Sequence, residues 1–249
     1  MLLSIGSVLC ITAPTAEALP SAAFPSTEIA SQESLNDSTR QGLPGRRIGG
    51  GTRRNGIFLN ENDALAALTA PEALTITTAA YPEMLFYVPE MKADHNAEFV
   101  MLNADGDVVY EQTLVANRRA GLINIDADGV APLSLNENYE WYFSIIPNPE
   151  DRANDVVVHG SIRRVDADEW LAQQQVDVGL SARMAMAEPL VQAQLLYQEA
   201  NLWHDAALVL NELRQENPEN ELIAFEWHQL LDVAELSDLV ESAVNVNSH

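Results

Sequence analysis

Residues 193–218 read AQLLYQEANLWHDAALVLNELRQENP, and their spacing decides how the C-terminal third folds. Ala193, Leu196 or Tyr197, Ala200 and Trp203 recur at helical intervals and form one apolar stripe. Asn201 interrupts that run, and asparagine accepts the left-handed backbone with which helices end. Asp205 follows where a new helix starts, and its carboxylate suits both the free amides and the positive end of that helix. Ala206, Leu210 and Leu213 make a second stripe that Pro218 stops. The small Ala206 lets the two segments approach closely. The stretch therefore predicts two short antiparallel helices.

The hairpin resembles a single tetratricopeptide unit, with aromatic, turn, aromatic, alanine, leucine and proline positions at the offsets of that repeat. Asn201 stands where the repeat favours glycine, and Leu213 where it favours alanine. Any amphipathic hairpin could share the spacing. An array needs about three repeats to bury a continuous core, and only one good copy is present. Leu222, Trp227, Leu230 and Leu231, then Leu236, Leu239 and Val240, would cap the hairpin rather than extend it.

Upstream the periodicity changes to that of short strands. Candidates are 74–80, 84–89, 97–103, 107–114, 121–126, 139–146 and 156–164, each bounded by turn chemistry such as Asp105-Gly106, Asp128-Gly129 or Pro147-Asn148-Pro149. Asn103-Ala104-Asp105-Gly106 between apolar runs signals a hairpin. Tyr139, Trp141, Phe143 and Ile145 share one strand face, with Glu140 and Ser144 on the other. Val156, Val158 and Ile162 alternate in the same way with Val157, His159, Ser161 and Arg163. About seven strands with regular turns predict an immunoglobulin-like antiparallel β-sandwich. The fold class is then α+β, a sandwich at 58–165 followed by a helical region at 166–249, with a helix over 168–176 as connector.

Composition limits what such a chain does. Apolar residues make up 47% and the net charge is −24, with Lys92 the only lysine. A chain this acidic avoids nucleic acid and anionic membranes, because phosphate needs a positive face. Residues 1–18 (MLLSIGSVLCITAPTAEA) have a short apolar core and end in an Ala-x-Ala pattern, which predicts a cleaved signal peptide and a periplasmic or secreted protein. That core is too short to span a bilayer, and no other stretch approaches the length. Cys10, the only cysteine, lies inside it, so the mature protein would have no disulfide, thiol nucleophile or thiolate metal site.

Residues 19–57 read as a flexible leader rich in Ser, Pro, Ala and Thr, ending in an arginine–glycine island, RQGLPGRRIGGGTRR at 40–54. Open glycine amides beside Arg46, Arg47, Arg53 and Arg54 could hold a phosphate, sulfate or carboxylate. The alternative is that this basic segment lies along the chain's own acidic surface. It is no P-loop, since no Gly-Lys-Ser/Thr follows. The motif Gly42-Leu43-Pro44-Gly45-Arg46-Arg47-Ile48-Gly49-Gly50-Gly51-Thr52-Arg53 resembles the opening of a cyanobacterial family, domain of unknown function 928. The resemblance continues through Thr77–Pro82 (TTAAYP), YEWYF at 139–143, VHGSI at 158–162, Leu196-Tyr197, Trp203–Ala206 (WHDA), and Trp227, Leu230 and Leu231. It implies an exported protein of that family and carries no activity with it.

No catalytic constellation stands out. His95, His159, His204, His228 and His249 make no metal spacing, no G-x-S-x-G occurs, and the abundance of carboxylates makes every acid–base pair equally plausible. Asn103–Asp107 (NADGD) opens like a calcium loop but lacks the following glutamate, and reads as a turn. No cofactor or metal is expected. The leading expectation is a non-enzymatic envelope protein that binds a protein partner through the tail, at Tyr197, Trp203, His204 and Trp227. Against it stands the plainer view of both tryptophans as core residues between helices. Two further readings stay open: an envelope carbohydrate- or polyanion-binding protein that uses the arginine island on an anionic polysaccharide, and a hydrolase with an unrecognised carboxylate site.

Overall fold

Alternation in residues 139–146 puts four large apolar side chains on one face of a strand, and a sheet grows on both sides of it. The computed structural model describes residues 47–50, 56–60, 63–71, 74–127, 131–177 and 179–238. These form two β-sheets and five helices. The larger sheet has the order β3 (Leu74–Thr77), β9 (Val156–Arg164), β8 (Asn138–Ile146), β5 (His95–Leu102), β6 (Val108–Ala116). The smaller has the order β1 (Ile48–Gly50), β2 (Ala64–Ala67), β4 (Glu83–Val88), β7 (Gly121–Asp126). Helices α1 (Ala167–Gln173), α2 (Leu180–Met186), α3 (Pro189–Gln198), α4 (Trp203–Glu216) and α5 (Glu221–Val233) follow. The signal, most of the leader, Arg46, Arg53, Arg54, Leu239, Val240 and His249 lie outside the described residues.

Each of the seven expected strand regions contains a strand, and β1 and β2 join them unannounced. β2 reads Ala-Leu-Ala-Ala, whose propensity favours a helix. Pairing with β1 and β4 and burial of all four residues override that preference. One ladder departs from the antiparallel expectation: β3 runs parallel to β9, from Leu74 opposite Ser161 to Thr77 opposite Arg164. Most of both sheets separates these strands in sequence, so no hairpin turn fixes their relative direction.

The sheets face each other across a common core. Phe86 of β4 stacks on Phe143 of β8 at 4.2 Å between ring centroids, and meets Trp141 and Phe99 at 5.6 and 5.8 Å. Opposite Trp141 the ladder has Gly160, where a Cβ would lie 2.5 Å from the indole Cζ2. The ring therefore comes this close to β9 only because that position has no side chain. At the β5–β6 turn, Asn103 Oδ1 accepts from the amides of Asp105 and Asp107 at 3.0 and 2.9 Å, and Gly106 takes φ +85°. This is turn chemistry, as the sequence suggested.

A second core lies on the other side of the smaller sheet. Ala66, Leu68, Leu85 and Tyr87 pack against Leu171, Leu180, Ala193, Leu196, Trp203, Leu210, Trp227 and Leu230 from the helices. The smaller sheet is thus covered on both faces. Residues on both sides of 165/166 contribute to this second core.

Candidate functional site

The helical hairpin forms where its spacing placed it: α3 ends at Gln198, Asn201 takes φ +54°, and α4 begins at Trp203. Asp205 does something other than cap that helix. Its Oδ1 accepts from Thr77 Oγ1 at 2.6 Å, and its Oδ2 from the Thr78 amide and hydroxyl at 2.9 and 2.7 Å. One carboxylate therefore clamps the first turn of α4 to the end of β3. These threonines are 127 and 128 residues away in sequence, so local spacing had no access to them.

The expected partner anchors are held inside the tail. Trp203 is 5% exposed, and its indole N–H donates to the Leu230 carbonyl at 3.0 Å. Trp227 is 6% exposed beneath the Arg214 guanidinium, 4.9 Å from the ring centroid. Burial lowers the pKa of Arg214. Tyr197 is half-buried and donates to Glu226 Oε2 at 2.9 Å; burial is the first cause raising its phenol pKa, and Glu226 adds to it. All three hold helix to helix, which for Trp203 and Trp227 is the plainer of the two sequence readings.

His204 is also buried, at the α4–β3 junction beside a cavity of about 40 Å³ that Thr75, Ile76 and Asn201 help to line. Neither ring nitrogen has a hydrogen-bond partner among the described residues, and the nearby Glu83 backbone falls short of bonding geometry. Burial pushes its pKa down, against the opposing pull of the Asp205 and Glu83 carboxylates.

Arg47, the one described arginine of the island, is tied to the tail. Its Nη1 donates to the Ala234 carbonyl at 2.5 Å and to the Thr69 carbonyl at 3.3 Å, and its Nη2 lies 4.0 Å from Glu235 Oε2. A guanidinium at the C-terminal end of α5 satisfies free carbonyls and suits the negative helix end. The structure brings Arg47 to the tail but not to Tyr197, Trp203, His204 or Trp227 as a shared site.

What the tail does present is the outer face of α5. Ile223, Trp227, Leu230 and Leu231 turn inward, while Leu222, Phe225 and Val233 are exposed on one stripe, with Glu221 and Asp232 beside them. The signal was present in the sequence: α5 carries apolar residues around much of its circumference, more than one buried face needs. The sequence reading counts Leu222 among the residues that cap the hairpin, but in the structure Ile223 is the buried residue and Leu222 is exposed.

Among the described residues, no group of three His, Cys, Asp or Glu is placed to hold a metal ion, and no helix is long and apolar enough to cross a membrane. The architecture is a mixed α/β scaffold with two facing sheets and a helical layer. The chain belongs to the family described as Domain of Unknown Function (DUF928), whose profile matches residues 48–244. No curated protein matches it. Among solved structures it is similar to one described as "Crystal Structure of the Periplasmic Chaperone SfaE", with 14% identity over 41% of this chain and 56% of that one. The TM-score is 0.27, too low for the likeness to bear on fold or function.

Proposed function

We propose that this is an exported, non-enzymatic cell-envelope protein, periplasmic or secreted, whose immunoglobulin-like sandwich carries a tetratricopeptide-like hairpin that binds a protein partner. The observation that carries this reading is the outer face of α5, where Leu222, Phe225 and Val233 are 68%, 57% and 57% exposed. Single exposed apolar residues are ordinary on any surface, whereas three on one helical stripe mark a seat for another element. In a stack of antiparallel helices, the natural occupant of such a seat is one more helix. Exposed Glu221 and Asp232 beside the stripe favour a partner helix flanked by lysine or arginine. Export is supported by the apolar start and Ala-x-Ala pattern of residues 1–18.

The test is capture from envelope extract with residues 19–249 as bait, beside a Leu222→Asp/Phe225→Asp bait shown by circular dichroism to be folded. The reading predicts a protein lost from the variant, whose binding segment, made as a peptide, is a basic amphipathic helix. Capture that is indifferent to both substitutions would sink it. So would sedimentation showing that the face joins two copies of this chain.

A further inference from the structure

A second feature lies in the sandwich, away from the tail. At one end of the facing sheets a cavity of about 160 Å³ opens among Tyr81, Met101, Tyr110, Pro132, Leu133 and Tyr139. The contributing segments are the approach to β4, the ends of β5 and β7, and the starts of β6 and β8, so the cavity is the unfilled end of the inter-sheet core. Apolar cavities of about 150 Å³ admit a single six-membered ring. A trimethylated ammonium head is no larger.

The chemistry of the walls selects among ligands of that size. Tyr110 Oη lies 2.8 Å from both Gln112 Oε1 and the Asp126 carbonyl oxygen. Tyr139 Oη accepts from the Ser134 amide at 3.1 Å and lies 3.4 Å from Glu137 Oε2. Two of the three phenols are thus engaged within the chain. A sugar, which brings many hydroxyls needing partners, would find few.

Charge adds the second constraint. The Asp126 carboxylate is close enough to Tyr110 to help raise its pKa, after burial as the larger cause. Glu137 sits beside Tyr139. Arg164 donates to the Leu133 carbonyl at 2.9 Å, so among the described residues one guanidinium stands against the two carboxylates of Asp126 and Glu137. An anion is disfavoured. A cation that needs no hydrogen bonds, and gains from aromatic faces and nearby carboxylates, is favoured.

We infer that this cavity is a binding site for a quaternary ammonium group, walled by Tyr81, Tyr110 and Tyr139 and attracted by Asp126 and Glu137. Tyr81, 44% exposed, stands at the mouth.

The probes are choline and its uncharged isostere 3,3-dimethylbutan-1-ol, titrated into the full chain and followed by saturation-transfer NMR and calorimetry. Choline should bind saturably and at least about fivefold more tightly than the isostere. Tyr81→Leu and Asp126→Asn, both at exposed positions, should each weaken choline several-fold while leaving the melting temperature in place. Equal affinity for the two probes would reduce the site to a plain apolar void and overturn the inference. No saturable choline signal, or one unchanged in both variants, would overturn it too.

Discussion

β4 (EMLFYV) and β6 (VVYEQTLVA) are both rich in apolar and aromatic residues, yet they meet different surroundings. β4 is buried at five of its six positions, whereas β6 is buried only at Ala116, with Val108 and Val115 55% and 65% exposed. The difference is one of layer. β4 is interior to the smaller sheet, with the larger sheet on one face and helices on the other. β6 is the edge of the larger sheet, whose outer face no layer among the described residues covers at this strand, so its residues alternate as in a half-solvated antiparallel strand. A run of valine, tyrosine and leucine thus reports a strand without reporting how many faces it buries.

The sharpest way to break this comparison is a pair of substitutions read by urea denaturation. Phe86→Ala on β4 removes three ring contacts at full burial and should cost about 3–5 kcal/mol. Val115→Ala on β6 should stay within about 0.5 kcal/mol. Similar costs at the two positions would end the two-layer account. Next comes the clamp between layers: Asp205→Ala frees two threonines and should lose about 2–3 kcal/mol. A near-neutral result there would mean that apolar contact alone holds the helices down. Gly160→Ala, which drives a methyl into Trp141, should lose about 1–3 kcal/mol and shift near-ultraviolet circular dichroism.

The covered face also contains a titrating group. Burial holds His204 neutral in the folded chain, while the unfolded chain protonates it below about pH 6.5. Its contribution to stability is therefore complete above that pH and is lost as the pH falls toward the depressed folded value. His204→Leu should lessen the acid sensitivity by up to about 1.4 kcal/mol per pH unit in that window. Parallel pH profiles for the two proteins would show the histidine to be protonated where it lies. The smallest effect belongs to the uncovered face of α5: Leu222→Asp/Phe225→Asp should change folding stability by less than about 1 kcal/mol while abolishing partner capture.

Much of this architecture was legible before folding was considered. Period-two alternation located seven strands, and the Asn201 break located the helical hairpin. β2 was hidden because Ala-Leu-Ala-Ala carries no strand propensity, and β1 because it lies in a glycine run. The site was less legible than the fold. Tyr197, Trp203, His204 and Trp227 attract attention by residue type, but aromatic side chains serve a core and an interface equally well. Leu222, Phe225 and Val233 are ordinary helix residues until Ile223, Trp227 and Leu230 are seen to take the inward positions.

The sequence by itself determined the local elements, because backbone preference and apolar period act over a few residues. It also determined the acidic charge, and it placed the only cysteine within residues 1–18. Only the tertiary structure decided that β3 lies parallel to β9, that Asp205 serves Thr77 and Thr78 instead of its own helix, and that the smaller sheet is covered twice. The first two outcomes join residues more than 80 positions apart, where no periodic signal reaches and where burial of one surface against another chooses the partner.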